Sequence, residues 1–212
     1  MTFTPYRPDW FYTKVQIPEL ENLQKEFLDL FWKTLGNDIP NDSGFFLIDY
    51  NEHQISSLQK LLQYYKLDNR WCTVGYSVIN NGCKFGGVHY DYIDGNTKYL
   101  ALNIPLLNCD GSYHVWYTGD IGDKARFTKY NDTANTIVFV GKESDNDVDT
   151  VSTYWVQGNV HEIASVECTA PMLVHVGRPH QPRVTHNRLR VLLTIRFSPE
   201  LTDEDFARIV AL

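Results

Sequence analysis

The sequence predicts a mainly β fold with flanking helices, and its core is expected to be a double-stranded β-helix of the jelly-roll or cupin-like kind. Three observations support this prediction. Helical patterns occur towards the two ends of the chain, short segments rich in β-branched and aromatic residues follow the helical start, and clusters of Gly, Asn and Asp separate those segments. Eight such segments favour two packed β-sheets with helices on one face.

Amphipathic helices are predicted in the first third of the chain and at its end. In residues 18–36, apolar side chains recur at spacings of three and four, Pro18 suits the first helical turn, and Gly36 suits the end. A second helical pattern covers about residues 52–65. Near the C-terminus, Thr202 can cap a helix whose first turn contains acidic residues.

The strand-forming segments lie between these helices, and each is bounded by turn-forming residues. The predicted strands cover residues 71–79, 98–106, 112–118, 135–141, 150–156, 160–167, 171–176 and 188–197. Residues 119–134 show the least pattern, which favours an insertion or a lid over a pocket. Residues 1–212 are interpreted as one domain, with a helical start over about 1–70, a jelly-roll core over about 71–198 and a C-terminal helix over about 202–212.

Composition and charge disfavour several classes of protein. The chain is 43% hydrophobic and 21% charged, which is ordinary for a globular domain. It contains no apolar run of the ~18 residues that cross a bilayer, and its start lacks the order of a secretory signal, so we expect a cytoplasmic location and no membrane partner. The net charge of −7 disfavours a nucleic-acid partner. The cysteines Cys72, Cys83, Cys109 and Cys168 lie far apart, which fits a reduced interior.

A potential metal site begins in the segment GGVHYDYIDG, residues 86–95. His89 and Asp91 are separated by one residue, and side chains at such positions project to the same side of an extended strand. Both can therefore contact one ion while Tyr90 points away. An isolated pair of this kind is also typical of a strand end whose side chains face solvent, so a metal site needs support from further residues.

Those further residues lie near the C-terminus. His180 follows a β-branched strand and a Gly-Arg-Pro turn, and Arg190 comes ten residues later at the start of another strand. In this order the sequence resembles the Fe(II)/2-oxoglutarate-dependent oxygenases, in which an HxD pair precedes a distal His and then an Arg at the same spacing. The resemblance covers about residues 72–197, and its pieces GGVHYDY, ALNIPLLNCDGSYHVWY and RPHQPRV…NRLRVLLTIRF are similar to small bacterial and phage-encoded members.

The resemblance implies roles for individual residues. It implies that His89, Asp91 and His180 bind Fe(II), because two imidazoles and one carboxylate on one face of the ion leave positions for 2-oxoglutarate and O2. It implies that Arg190 holds the remote carboxylate of 2-oxoglutarate, since a guanidinium is always charged and binds a carboxylate bidentately. Asn103 is either a further contact of this cosubstrate or a strand asparagine bonded to the backbone.

Leu192 departs from the family pattern, because many members carry a hydroxyl residue two positions after the arginine. The second hydrogen bond to the remote carboxylate must then come from another residue. Thr194, Tyr99 and Tyr76 are the candidates for this contact.

Alternatives remain open for the distal ligand and for the arginine. His175 and His186 lie within six residues of His180, although His175 is inside an apolar strand, where a core or pocket-wall histidine is expected, and His186 is in a polar segment. Arg196 is an alternative to Arg190, because even spacing puts both residues on one face of the strand.

The function that the resemblance implies is an Fe(II)- and 2-oxoglutarate-dependent dioxygenase. It would hydroxylate an unactivated C–H bond of a small molecule or a peptidyl residue and release succinate and CO2. Asp91 disfavours halogenation, which needs a small residue there. His114 or Trp116 is a candidate substrate contact. Two other readings are a non-catalytic jelly-roll module that binds a small ligand, and a cupin-like metalloenzyme that uses no 2-oxo acid.

Overall fold

The computed structural model describes residues 10–36, 39, 43–48, 55–81, 87–93, 96–97, 100–129, 136–142, 152–198 and 200–211. These residues form a mainly β protein with few helices. The helices are α1 (Leu20–Leu35), α2 (Ser56–Tyr64) and α3 (Asp203–Val210). Within the described ranges, no helix combines the length and the apolar character that a membrane span requires.

All strand pairings in the described residues are antiparallel. The strands are β1 (Tyr12–Lys14), β2 (Ser43–Ile48), β3 (Trp71–Ile79), β4 (His89–Ile93), β5 (Asn96–Thr97), β6 (Leu100–Leu107), β7 (Ser112–Tyr117), β8 (Asp120–Lys129), β9 (Thr136–Lys142), β10 (Ser152–Gln157), β11 (Glu162–Glu167), β12 (Met172–His175), β13 (His180–Val184) and β14 (Arg190–Ser198).

The strands follow one continuous path of pairing, which β8 and β9 divide into two parts. The order is β1-β12-β6-β14-β3-β2-β9-β8-β10-β4-β13-β7-β11, and β5 pairs with β4 beside this path. We call β1, β12, β6, β14, β3 and β2 the first sheet, and β10, β4, β13, β7 and β11 the second sheet. This arrangement confirms the predicted mainly β fold with flanking helices.

One face of the first sheet packs against the helices. Because successive side chains of a strand point to opposite faces, Val191, Leu193 and Ile195 of β14 all lie on this helix side. Burial of one such side chain contributes about 1.5–3 kcal/mol. Their partners in the core include Leu23, Phe27 and Phe31 of α1, Leu58 and Leu61 of α2, and Phe206 and Ile209 of α3. The helix-side core therefore fixes which face of β14 is left for polar residues.

The opposite face of the first sheet meets the second sheet, and we call the region between them the intersheet space. Trp116 of β7 packs there with Ala101, Met172 and Val174 of the first sheet. Its indole Nε1 donates a 2.8 Å hydrogen bond to the carbonyl oxygen of His175. The even-numbered residues of β14 face this space and include two buried arginines. The two sheets are thus joined by an apolar cluster beside polar residues.

The end of α1 and the start of α3 agree with the sequence-based prediction, whereas Pro18 lies before α1 and not in its first turn, because Glu19 is the N-cap and Leu20 the first helical residue. Gly36 follows α1 with a φ of 50°, and its N–H donates to the carbonyl oxygen of Trp32. Glycine reaches this left-handed region without the steric cost that a Cβ adds. Thr202 caps α3 through a capping box, in which its side chain accepts from the Asp205 N–H and its own N–H donates to the Asp205 carboxylate.

The segment 119–134 differs from the prediction of an unpatterned insertion or lid. Its residues 120–129 form β8, which pairs with β9 on one side and β10 on the other. The sequence DIGDKARFTK has weak strand preference, and pairing on both sides stabilises the extended backbone. The sequence predicts no strand in this segment, so β8 is a correction to that prediction, and residues 130–134 lie outside the described residues.

Candidate metal centre

Two strands of the second sheet bring His89, Asp91 and His180 together. His180, the first residue of β13, is the direct register partner of His89 in β4, and Asp91 lies two residues further along β4. Their potential ligand atoms all lie within 4.8 Å of one another, and all three side chains are buried. These residues could hold one metal ion.

Backbone carbonyls orient both imidazoles. His89 Nδ1 lies 2.9 Å from the Gly87 oxygen, and His180 Nδ1 lies 2.8 Å from the Arg178 oxygen. A carbonyl oxygen only accepts, so each Nδ1 carries the proton and each Nε2 of a neutral ring presents a lone pair. The two Nε2 atoms lie 3.7 Å and 3.8 Å from the carboxylate oxygens of Asp91.

The chemistry of this donor set fits a ferrous ion. Burial, followed by the neighbouring His89, lowers the pKa of His180 to about 3, which keeps this imidazole in the neutral form that metals bind. Two imidazole nitrogens and one carboxylate are the donors of non-haem Fe(II) sites with open positions. The orientation of the rings by backbone carbonyls is the support that metal-binding histidines usually have.

Arg196 of β14 reaches across the intersheet space to this cluster. Its Nη2 donates to Oδ2 of Asp91, and its Cζ lies 5.2 Å from the centre of the Phe45 ring. The side chain is buried, and within the described part of the chain its Nε and Nη1 atoms have no hydrogen-bond partner. Arg196 therefore lies beside the metal cluster. This position does not favour the alternative in which Arg196, rather than Arg190, binds the remote carboxylate.

Arg190, at the start of β14, lies at the other end of the intersheet space and is 1% exposed. Its Nε donates to Ser112 Oγ at 3.0 Å, and its Nη1 donates to Ser77 Oγ at 2.9 Å and to the Ser77 oxygen at 3.1 Å. No acidic side chain among the described residues forms an ion pair with it. A buried guanidinium without such a partner suits the carboxylate of a ligand.

Polar side chains lie between these two arginines. On the first sheet, Thr194 Oγ1 donates a 3.0 Å hydrogen bond to Asn103 Oδ1. On the second sheet, the His114 ring stacks on the His180 ring, with centroids 4.8 Å apart and an interplanar angle of 13°. Burial, with the nearby His180, lowers the pKa of His114 well below its usual value. Its buried Nε2 has no partner in the described residues, so a ligand atom is a suitable partner.

The structure describes two of the three candidates for the second hydrogen bond to the remote carboxylate. Tyr76 is a wrong candidate, because its hydroxyl donates to the Phe27 oxygen at 2.7 Å on the helix side of the first sheet. Thr194 faces the intersheet space but donates to Asn103. Tyr99 lies outside the described residues. No pattern in the sequence indicates Ser77 and Ser112, whose oxygen atoms accept hydrogen bonds from Arg190.

The alternative histidines lie away from the cluster. The His175 ring packs near Trp10, with centroids 6.0 Å apart, and burial, aided by Arg178, lowers its pKa to about 4. His186 Nε2 lies 3.0 Å from the backbone oxygen of Asn108 in the connection between β13 and β14. Neither residue joins the three side chains that the second sheet brings together.

Comparisons with known proteins identify no family for this chain. No family model matches it, and a search of curated proteins found no match. Among solved structures, the chain is similar to a prolyl-4-hydroxylase from Pseudomonas putida, with 10% sequence identity and a TM-score of 0.43 over 88% of this chain and 91% of that one. The function proposed below therefore rests on the side chains of the site.

Proposed function

We propose that the protein is an Fe(II)- and 2-oxoglutarate-dependent dioxygenase that hydroxylates an unactivated C–H bond of a small molecule or a peptidyl residue. The observation that carries the proposal is the convergence of buried His89, Asp91 and His180. The buried guanidinium of Arg190 also supports the proposal. It lies in the same intersheet space, and no acidic side chain among the described residues pairs with it.

The order of the strands supports a jelly-roll core for this enzyme. The first sheet contains the order β12-β6-β14-β3, and the second contains β4-β13-β7-β11. Along the chain, β3, β4, β6 and β7 alternate between the two sheets, and so do β11, β12, β13 and β14. Two antiparallel four-stranded sheets whose strands alternate in this way are the expected arrangement of a double-stranded β-helix.

The chain's own residues would bind and orient the reacting groups. His89, Asp91 and His180 would hold the metal ion, which with 2-oxoglutarate supplies the activation of O2 and the release of succinate and CO2. The carbonyls of Gly87 and Arg178 accept from Nδ1 of the two imidazoles and so favour the neutral tautomer whose Nε2 carries no proton. The apolar residues around Trp116 exclude water from one side of the intersheet space.

Arg190 would bind the remote carboxylate of 2-oxoglutarate. Ser77 and Ser112 fix its guanidinium by hydrogen bonds, which reduces the entropy lost when a carboxylate binds. Leu192 packs with Cys109 and Cys168 and gives this end of the space an apolar wall. We propose the two serine hydroxyls, rather than a residue two positions after the arginine, as the groups that complete the carboxylate site.

Anaerobic titration with Fe(II) and 2-oxoglutarate tests the proposal. Wild-type protein should develop a weak visible charge-transfer band, and aerobic incubation should then convert 2-oxoglutarate into succinate. His180→Ala and Arg190→Met should lose the band at the same concentrations. The matched controls are His186→Ala and Arg188→Met, which change a histidine and an exposed arginine outside the site.

Two outcomes would contradict this assignment. A wild-type protein that binds Fe(II) but shows neither the band nor succinate would favour a metalloenzyme that uses no 2-oxo acid. A band of wild-type strength in His180→Ala would show that another residue binds the metal.

A further inference from the structure

We propose that four contacting rings carry electrons from the protein surface to the metal centre, and that Tyr12 is the residue oxidised when O2 reacts there without a substrate. We call the rings of His180, His114, Trp116 and Tyr12 the aromatic row. The inference rests on the proposed function, because the oxidant is the metal centre after its reaction with O2. It adds a one-electron activity and a site of oxidative modification to the proposed hydroxylation.

The first step concerns the contacts within the aromatic row. The His180 and His114 rings are nearly parallel, with centroids 4.8 Å apart and an interplanar angle of 13°. The centroids of His114 and Trp116 are 4.5 Å apart. Trp116 stacks on Tyr12, with centroids 6.0 Å apart and an interplanar angle of 15°. These are the distances of rings in contact. The row is therefore continuous from a candidate metal ligand to Tyr12.

The second step concerns the two ends of the row. His180, His114 and Trp116 are buried, whereas Tyr12 is 38% exposed. The rate of electron transfer falls steeply with distance, so several short steps between rings are faster than one long step through the same protein. Dissolved reductants do not reach the buried cluster, but they do reach Tyr12. The row thus joins the metal centre to solvent.

The third step concerns the rings that lose an electron. Indole and phenol are oxidised much more easily than imidazole, so Trp116 and Tyr12 are the members that react. The indole Nε1 of Trp116 donates to the carbonyl oxygen of His175 at 2.8 Å, and a carbonyl does not take up this proton. The oxidised indole therefore stays a cation, which is a stronger oxidant than a tyrosyl radical. Electrons consequently flow from Tyr12 to Trp116.

Each event moves one electron along the row. Trp116 gives an electron to the metal centre. Tyr12 then gives an electron to the Trp116 cation and its phenolic proton to water. The net result is a metal centre reduced by one electron, a neutral tyrosyl radical and one proton in solvent. A dissolved hydrogen-atom donor such as ascorbate converts the radical back into tyrosine, so the row protects the buried site from its own oxidant.

Exposure of the ferrous protein with 2-oxoglutarate to O2, without any substrate, provides the test. One set of samples contains the spin trap 2-methyl-2-nitrosopropane, and peptide mass spectrometry then locates the residue that carries the trap. A second set is frozen for electron paramagnetic resonance. Succinate is measured in the same samples and reports on the proposed function alone. Zinc-loaded protein gives the background, because Zn(II) has no redox chemistry.

Tyr64 is the matched internal control. It is 41% exposed, which is close to the value for Tyr12, but it is the last residue of α2, on the helix side of the first sheet. Its ring packs against Tyr65, which is not a member of the aromatic row. We expect wild-type protein to carry the trap on Tyr12 and not on Tyr64, and to show a tyrosyl radical signal that ascorbate removes.

Tyr12→Phe keeps a ring in contact with Trp116 and removes the phenol. This variant should form succinate at the wild-type rate in its first turnovers, because Tyr12 lies outside the metal and cosubstrate sites. It should lose the tyrosyl signal, accumulate oxidised Trp116 and become inactive after fewer turnovers than wild type. Tyr64→Phe should behave as wild type in all these measurements.

Three results would overturn the inference while the proposed function stands, since succinate forms in each. One is a trap on Tyr64 and none on Tyr12 in wild-type protein. Another is a tyrosyl signal of wild-type strength in Tyr12→Phe. The third is an equal amount of trapped Tyr12 in the zinc-loaded protein. A wild-type protein that binds Fe(II) but forms no succinate would refute the proposed function and, with it, the oxidant that the row requires.

Discussion

Replacement of Arg190 by methionine should separate the stability of the fold from its affinity for 2-oxoglutarate. The guanidinium is 1% exposed and has no acidic partner among the described residues, and removal of an unpaired buried charge is often neutral or stabilising. The variant also leaves the hydroxyls of Ser77 and Ser112 without this donor, at a cost of about 1–3 kcal/mol for each buried group. These effects oppose one another, so the unfolding free energy without ligand should change by only about 2 kcal/mol in either direction.

The effect of Arg190→Met on ligand binding should be larger. Nε and Nη1 of Arg190 already donate to Ser112 and Ser77, so the bond lost to the ligand is the one from Nη2. A hydrogen bond to a charged partner is worth about 1.5–3 kcal/mol, so its loss weakens 2-oxoglutarate binding by a factor of about 10 to 10². A ligand at a hundred times its dissociation constant stabilises a protein by about 2.7 kcal/mol. At the 2-oxoglutarate concentration that gives wild type this stabilisation, the variant should gain only about 0.4–1.4 kcal/mol.

Thermal and urea unfolding of the zinc-loaded proteins, with and without 2-oxoglutarate, measure both quantities. Arg188→Met, which removes an exposed arginine paired with Asp110, is the matched control and should respond to 2-oxoglutarate as wild type does. The reasoning is refuted if Arg190→Met keeps the full stabilisation by 2-oxoglutarate. A loss of several kcal/mol in the ligand-free variant would instead show that Arg190 is a structural residue.

Three further predictions concern stability, and chemical unfolding checks each. Gly75→Ala should destabilise the fold by at least about 1 kcal/mol, because its Cβ would lie 2.6 Å from the Phe45 ring. Phe27→Ala, in the helix-side core, should cost about 3–5 kcal/mol, and a loss below 1 kcal/mol would contradict the packing. Burial raises the pKa of Asp205, but hydrogen bonds from Thr202 outweigh it, so the pKa lies below its usual 3.8. The stability from Asp205 should be complete above that pH and be lost as the pH falls through the lower pKa of the folded state, a dependence that Asp205→Asn should reduce.

Local sequence patterns predicted those strands whose residues have a high intrinsic β-propensity. Residues 71–79 form β3 with the predicted bounds, because β-branched and aromatic residues dominate there. The patterns did not predict β8 or β13. β8 is polar along most of its length. β13 contains Pro182, and proline is disfavoured inside a strand because it has no N–H to donate. β8 is stabilised by pairing with the following strands β9 and β10, and β13 by pairing with β4 and β7, which are distant in the chain.

The candidate site was likewise predicted only where local spacing in the sequence determines it. The spacing of His89 and Asp91 placed both on one side of a strand, but the register that pairs His180 with His89 is a tertiary property. Tyr76 illustrates the effect of one position, since its neighbour Ser77 faces Arg190 while Tyr76 itself faces the helices. Serines have no distinctive pattern, so sequence alone could not have identified the residues that hold the arginine.

The stoichiometry of metal binding tests the central claim most directly. Anaerobic titration with Fe(II), followed by removal of unbound metal and elemental analysis, should give one ion per wild-type chain and none in Asp91→Ala or His180→Ala. His175→Ala and His186→Ala should retain one ion, because both residues lie away from the cluster. Full metal content in His180→Ala, or loss of the ion in His186→Ala, would contradict a site built from His89, Asp91 and His180.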